Sequence, residues 1–345
     1  MKFTALKINP EALYLNKTDI IINEINSFLS DLSINKGIIA KIDCIVPVID
    51  KEGYDTCYNT LKEVCTSLFK DAVPAFSLLP IKSNDGEQCT FQFTLINDSK
   101  AELVFKEFQK HHYTVVNIKE ETLLFSGAIN FNYENDFLRS VQAAHDFGEQ
   151  LLDYEELHLG HIAVQRNYIE NINGAADKAT GWDNYKTLNE VQQLYQDPEL
   201  FKHGFPLQLS YGATFGGCTI DFLACSKAGF PGSQFTSSEA QSQLCYIPAL
   251  KQAFVGRLSS SSSDSINIQV EDMINQAIDL CTLAKKETSD KCEEIRVYLS
   301  NNMNTTEIEK SISNKLNYNK ISFYICNLKQ SSASVDMEIL FNIAV

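Results

Sequence analysis

Met337-Glu338-Ile339-Leu340-Phe341-Asn342-Ile343-Ala344 lies at the end of the chain, and its pattern guides the reading of everything before it. Together with Val335 and Asp336 it alternates with the period of a β-strand. Val335, Met337 and Ile339 share one face, and Asp336 and Glu338 share the other. Working backwards from it, residues 321–326 read as a strand, 305–316 as a helix and 295–299 as a strand. Before these comes a long helix carrying Ile268, Ile274, Ile278 and Cys281, then a polar Ser-rich loop at 259–265. Ala253-Phe254-Val255-Gly256 is the opening strand. The order is β-α-β-α-β-β.

The same order recurs twice upstream. The middle segment has a strand at 123–127, a helix over 136–152 and a strand over 159–168. A Gly/Asn/Asp-rich insertion at 171–183 follows, then a helix over 185–195, the stretch 205–209 and a last strand at 218–224. In the first segment, Ile21, Ile25, Phe28 and Leu32 mark a helix and 38–49 a buried strand. Tyr54, Tyr58, Leu61, Val64 and Leu68 mark a second helix at 3.6-residue periodicity. Pro74-Ala75-Phe76-Ser77-Leu78-Leu79-Pro80 is a short strand. A turn at Asn84-Asp85-Gly86 leads into the alternating Phe91, Phe93 and Leu95. The second strands begin near residues 38, 159 and 295, which predicts three units of one fold in the α+β class, over 1–98, 110–226 and 243–345.

Composition narrows the function. The 345 residues carry 29 Lys plus Arg against 44 Asp plus Glu, a net charge of −15. An acidic surface repels phosphate backbones and anionic lipid, so neither nucleic acid nor membrane partners are expected. An anionic substrate would need a locally basic pocket. Arg occurs only at Arg139, Arg166, Arg257 and Arg296. No apolar run approaches the length of a membrane span, and Met1–Pro10 is too short and polar for a secretory core. The ten Cys are expected to be free thiols in a reducing, cytoplasmic compartment. Their spacing, with six scattered His, points to no metal site. Gly212-x-x-x-Gly216-Gly217 lacks a following Lys-Ser/Thr and is not a P-loop.

The unit order, Pro74-Ala75-Phe76-Ser77 and the closing Glu338-Ile339-x-x-x-Ile343-Ala344 strand resemble the Rid (YjgF-like) family. Rid proteins are homotrimers with ligand sites between subunits, so three fused units imply a pseudo-trimer. Among fused relatives the chain looks most like the chorismatases. Arg166-Asn167-Tyr168 is similar to their Trp-Asn-Tyr, and Tyr185-Lys186-x-Leu188-Asn189 to their Tyr-Arg-x-Phe-Asn. Phe205-Pro206 and the Gly-rich stretch follow in the family's order. Phe254-Val255-Gly256-Arg257 is similar to Ile-Val-Gly-His, Cys326-Asn327 to Cys-Arg, and Glu338 to the Glu of the closing strand.

The resemblance implies an enzyme without metal or organic cofactor that removes pyruvate from chorismate or a related cyclic enol-ether carboxylate. Its product would be a hydroxybenzoate or dihydrodiol for secondary metabolism. Glu338 would protonate the enolpyruvyl methylene, and an apolar setting suits a raised pKa there. Tyr168, Lys186, Tyr211, Gly212, Arg257 and Cys326 would line the substrate site between the second and third units. Arg166 is expected to face away by strand alternation. The positions of the Rid deaminase arginine fall at Phe76, about Gln208, and Lys320, which speaks against a standard imine deaminase. Two alternatives stand beside the enzyme reading: a degenerate Rid-like protein that binds a small carboxylate without turnover, and an imine deaminase using Lys320. The expected partner is a small aromatic or cyclic carboxylate, and the expected state a monomer or weak dimer.

Overall fold

A computed structural model describes the chain except for residues 84–87, 134–135, 175–179, 198, 202–203, 228–233, 237–241, 259, 261–264, 285, 287, 301–302, 304, 329–334 and 345. In the first unit, β1 (Lys2–Ile8) leads through a short helix, α1 (Glu11–Tyr14), into α2 (Thr18–Asp31) and β2 (Ile39–Ile45). Then come α3 (Lys51–Phe69), β3 (Ala75–Leu79), β4 (Lys82–Ser83) and β5 (Cys89–Leu95). The Asp50 side chain starts α3 by accepting from the Gly53 amide at 2.8 Å, which satisfies a donor that the helix leaves unpaired. The helix carries β2 over to β3 as a parallel neighbour, and β5 inserts antiparallel between β1 and β2. The sheet order is β1-β5-β2-β3.

A hairpin of β6 (Ala101–Phe108) and β7 (His111–Ile118) precedes the second unit. That unit comprises β8 (Glu121–Phe125), β9 (Ile129–Phe131), α4 (Phe137–Tyr154), β10 (Ile162–Glu170), α5 (Asn184–Leu194), β11 (Leu207–Ala213) and β12 (Cys218–Cys225). Next come β13 (Gln234–Thr236) and β14 (Gln243–Ile247), then the third unit. It comprises β15 (Gln252–Leu258), α6 (Ile266–Leu283), β16 (Thr288–Leu299), α7 (Thr305–Ser313), β17 (Asn317–Ile325) and β18 (Val335–Ile343). The second unit has the order β8-β12-β10-β11 and the third β15-β18-β16-β17. In each unit the last strand lies between the first and second, and the third strand is parallel to the second. This shared order makes the chain three units of one topology.

Each sheet is covered by helices on one face only. Ile21, Ile25, Leu61 and Val64 pack on Ile42, Phe91 and Phe93. Val141, Leu151 and Leu188 do the same in the second unit, and Val270, Ile274, Ile308 and Ile312 in the third. Each fully buried aliphatic side chain of this kind contributes about 1.5–3 kcal/mol. The opposite faces of the three sheets meet in a common cluster holding Ala75, Leu79, Val164, Leu209, Tyr298 and Leu340. The result is an α+β pseudo-trimer with β faces inside and helices outside. β4 pairs with β17 and ties the first unit to the third.

The structure adds strands that hydrophobic pattern did not mark: β1, β4, the β6–β7 hairpin, β9, β13 and β14. The expected boundary at residue 110 falls between the two strands of the hairpin, which extends the central sheet beyond β8. The second strands start at Ile39, Ile162 and Thr288. The turn at Asn84-Asp85-Gly86 lies outside the described residues, as do much of the Ser-rich loop and residues 175–179 of the insertion.

Candidate functional site

Where the three inner faces meet, charged side chains interrupt the apolar cluster. Alternation along β18 sends Val335, Met337 and Ile339 to the helix side, and Glu338 with Leu340 inward. Glu338 is 5% exposed. Arg166 of β10 grips it with a fork: Nε donates at 3.2 and 3.0 Å to the two carboxylate oxygens, and Nη2 donates to Oε2 at 2.7 Å. The hydroxyls of Tyr298 and Tyr211 donate to Oε1 at 2.8 and 3.1 Å. Arg296 stands opposite Glu338 in the β16–β18 register. Burial favours the neutral acid, but Arg166 and Arg296 outweigh it and hold the Glu338 carboxyl below its ordinary range. The expected raised pKa is therefore corrected. The sequence showed an apolar strand around Glu338 but not the cation on the neighbouring unit.

The tyrosines form a column. Tyr211 and Tyr298 stack at 3.6 Å between ring centroids, Tyr168 lies 6.3 Å from Tyr211, and Tyr324 lies 5.3 Å from Tyr298. Burial pushes all four hydroxyls above their ordinary pKa. Below the column, Arg296 Nε donates to Glu294 at 2.9 Å, and Lys320 approaches the same carboxylate at 3.6 Å. Gln92 of the first unit donates to Glu294 and accepts from Tyr324 at 2.9 Å. Lys41 pairs with Asp43 at 2.9 Å and with Asp221. Four cations (Lys41, Arg166, Arg296, Lys320) thus face four carboxylates (Asp43, Asp221, Glu294, Glu338). A cavity of about 30 Å³ reaches Lys41, Asp43, Arg166, Asp221 and Arg296. It has room for about one or two waters.

Of the residues predicted from sequence, Tyr168, Tyr211, Gly212, Cys326 and Glu338 gather here, between the second and third units. The Gly212 amide donates to Asn327 O at 2.8 Å, and a Cβ on Gly212 would sit 2.7 Å from Asn327 Cβ. Only glycine allows that approach. Cys326 is buried, and burial raises its thiol pKa, so it packs rather than reacts. Arg257 is half-buried at φ 55° in a bulge of β15, next to Gly256, where β15 passes over Leu207 and Leu209 of β11. Lys186 is exposed on α5, with its amine 5.6 Å from the Trp182 ring, and takes no part in the cluster. Arg166 faces inward, not away, because residues i and i+2 of a strand share a face and Tyr168 is inward. Tyr298, Arg296, Glu294, Lys41, Asp43 and Asp221 were missed. Their signal was present as Lys41-x-Asp43 and Glu294-x-Arg296-x-Tyr298, polar side chains spaced by two within apolar strands.

The ten Cys are buried and unbridged. Among the described residues, no three His, Cys, Asp or Glu side chains gather to hold a metal. No described helix is long and apolar enough to cross a membrane.

Against solved structures, the chain is similar to a chorismatase at a TM-score of 0.59 and 11% identity, over 88% of this chain and 93% of that one. Smaller proteins also match. A putative translation initiation inhibitor from Salmonella typhimurium aligns at TM-score 0.27 and 12% identity, over 36% of this chain and 96% of its own. A YjgF-family protein from Neisseria meningitidis aligns at 0.28 and 10%, over 36% and 93%. No family model matches the chain, and no curated protein does. The chain therefore has the chorismatase fold. At this identity the likeness speaks for the fold alone.

Proposed function

We propose that the chain is a chorismatase-like enzyme acting at the Glu338 cluster on chorismate or a related cyclic enol-ether carboxylate. The supporting observation is the buried Arg166 fork, which already holds a carboxylate in two-point geometry, that of Glu338. A substrate carboxylate that takes the fork leaves Glu338 buried between Tyr211 and Tyr298 without its closest cation. Desolvation then raises its pKa and protonates it. The acid gives its proton to the enolpyruvyl methylene carbon, and water adds to the resulting oxocarbenium carbon. The hemiketal collapses to pyruvate and the ring alcohol, and Glu338 recovers a proton from the added water. The space beside Arg166 has room for only about one or two waters, so binding requires the packing around the fork to open.

Incubation of purified protein with chorismate, with pyruvate followed by coupled reduction, is expected to show release above background. Glu338→Gln is expected to abolish it with the fold intact, as judged by circular dichroism. Absence of pyruvate from the wild type overturns the proposal.

One observation favours a second reading, a chorismatase-fold protein that binds without turnover. Each of the four core cations already faces a carboxylate of the chain itself. Thermal shifts with aromatic and keto acids, without pyruvate release, would support it. In the imine-deaminase alternative a substrate carboxylate would have to displace Glu294, which lies 3.6 Å from the buried Lys320.

A further inference from the structure

The central cluster leaves the sequence's electrostatic problem unsolved: a chain of net charge −15 that takes an anion needs a basic site, and the core cations are already matched. Away from the core, α3 presents Tyr54, Tyr58, Lys62 and Thr66 at successive i, i+4 positions, and Lys70 follows just past its C-terminal end. The four helical residues form one stripe, about 18 Å from first to last at 1.5 Å per residue. Every residue of the stripe lines one of two adjoining cavities, of about 310 and 430 Å³, and Lys62 lines both. The facing wall is the β6–β7 hairpin that precedes the second unit, which supplies Phe105, Lys106, Lys110, His111 and His112.

The two ends of this groove differ. At the Tyr54 end the lining is aromatic, with Tyr54 and Tyr58 stacked at 6.4 Å and Phe131 and Phe147 at 5.8 Å. Tyr58 is partly buried, and its hydroxyl has no hydrogen-bond partner among the described residues. At the other end Lys62, Lys70 and Lys106 outnumber Asp71 and Glu107, and His112, whose pKa burial lowers, adds a neutral imidazole. Lys106 is held by Glu155 at 2.8 Å, and His112 lies 3.6 Å from Glu107. Lys62 and Lys110 make no ion pair among the described residues. Lys62 is close enough to His112 that its charge, after burial and against Glu107, helps lower the imidazole pKa. An unpaired cation thus stands where the aromatic floor gives way to a basic rim.

We propose that this groove between α3 and the hairpin is a second binding site, for an aromatic carboxylate. The ring lies against Tyr54, Tyr58, Phe131 and Phe147, and the carboxylate lies at Lys62. Ring burial against aromatic side chains supplies affinity, and the lysine selects charge. Phe76 fills the space between Tyr58 and His112, at 6.1 and 5.7 Å, and thereby keeps the ligand in the outer groove. The site is separate from the Glu338 cluster and stands whether or not that cluster turns over chorismate.

Calorimetric titration of the full chain with 4-hydroxybenzoate, and with neutral 4-hydroxybenzyl alcohol as control, tests this. The acid is expected to bind more tightly than the alcohol and to weaken with added salt. Lys62→Glu is expected to weaken the acid by about tenfold or more, a loss of about 1.4 kcal/mol, without changing the thermal midpoint. Glu338→Gln is expected to leave this binding unchanged, so failure of the central site and failure of the groove are read separately. Absence of binding by the acid, equal binding by the alcohol, retained affinity in Lys62→Glu or loss in Glu338→Gln each overturns the proposal.

Discussion

Arg166 and Glu338 come from different units and are both nearly removed from solvent, so each depends on the other. Replacing one partner leaves an uncompensated buried charge, which costs about 3–5 kcal/mol, whereas replacing both with apolar residues of similar volume is close to neutral. Arg166→Met is expected to lower the unfolding free energy from urea titration by an amount in that range, and Arg166→Met with Glu338→Leu to recover most of it. The same pair sets an acid limit. A carboxyl held below its ordinary value adds stability that is complete above the unfolded pKa, about 4.3. That stability is lost as pH falls through the lower folded value. Asp43, held down mainly by Lys41 against its burial, acts in the same direction. The acid side of the stability profile is expected to flatten in Glu338→Gln, and an unchanged slope would refute the coupling. The inward face of Glu338 was legible from alternation, and its partner was not. Alternation assigns faces within a strand, but no local pattern says which strand of another unit lies across from it.

At the scale of elements, the helices were the most legible. Asp50, Asp136 and Asp183 each begin a helix by accepting from an amide three residues on, and the apolar stripes behind them fix the buried face. The β6–β7 hairpin was opaque for a physical reason. Its β6 residues Leu103, Val104 and Phe105 are consecutive, only partly buried and flanked by Glu102, Lys106 and Glu107, so the period-2 signal is weak. The hairpin leads to Gly127, where the second unit meets the first. Gly127 has φ 67°, and a Cβ there would sit 2.8 Å from Phe76 O. Gly181 has φ 70° but nothing within 4 Å. Gly181→Ala is expected to cost only the backbone penalty, about 1 kcal/mol. Gly127→Ala is expected to cost clearly more, because the clash adds to the conformational strain. Paired thermal melts decide it, and equal shifts would mean that the inter-unit contact relaxes freely.

For the whole molecule, repetition was the most readable property, and its consequence is cooperative. Each unit covers one sheet face with its own helices but has no helices for the other face, which is buried only by the other two units. The charges deepen this dependence. Lys41 of the first unit pairs with Asp221 of the second, Arg166 of the second with Glu338 of the third, and Gln92 of the first with Glu294 of the third. No unit can leave without exposing apolar surface and stranding a buried charge in the units that remain. Trp182 is the only tryptophan and lies in the second unit, so its fluorescence follows that unit alone. Far-ultraviolet circular dichroism follows all three. The two signals are expected to give coincident urea transitions with one midpoint and one slope. A Trp182 transition separated from the dichroism would show that the units unfold independently and that the core charges do not couple them. In Lys41→Met, which strands Asp221 in the second unit from a position in the first, both midpoints are expected to fall together. A fall in the dichroism alone would locate the damage in the first unit and refute the coupling.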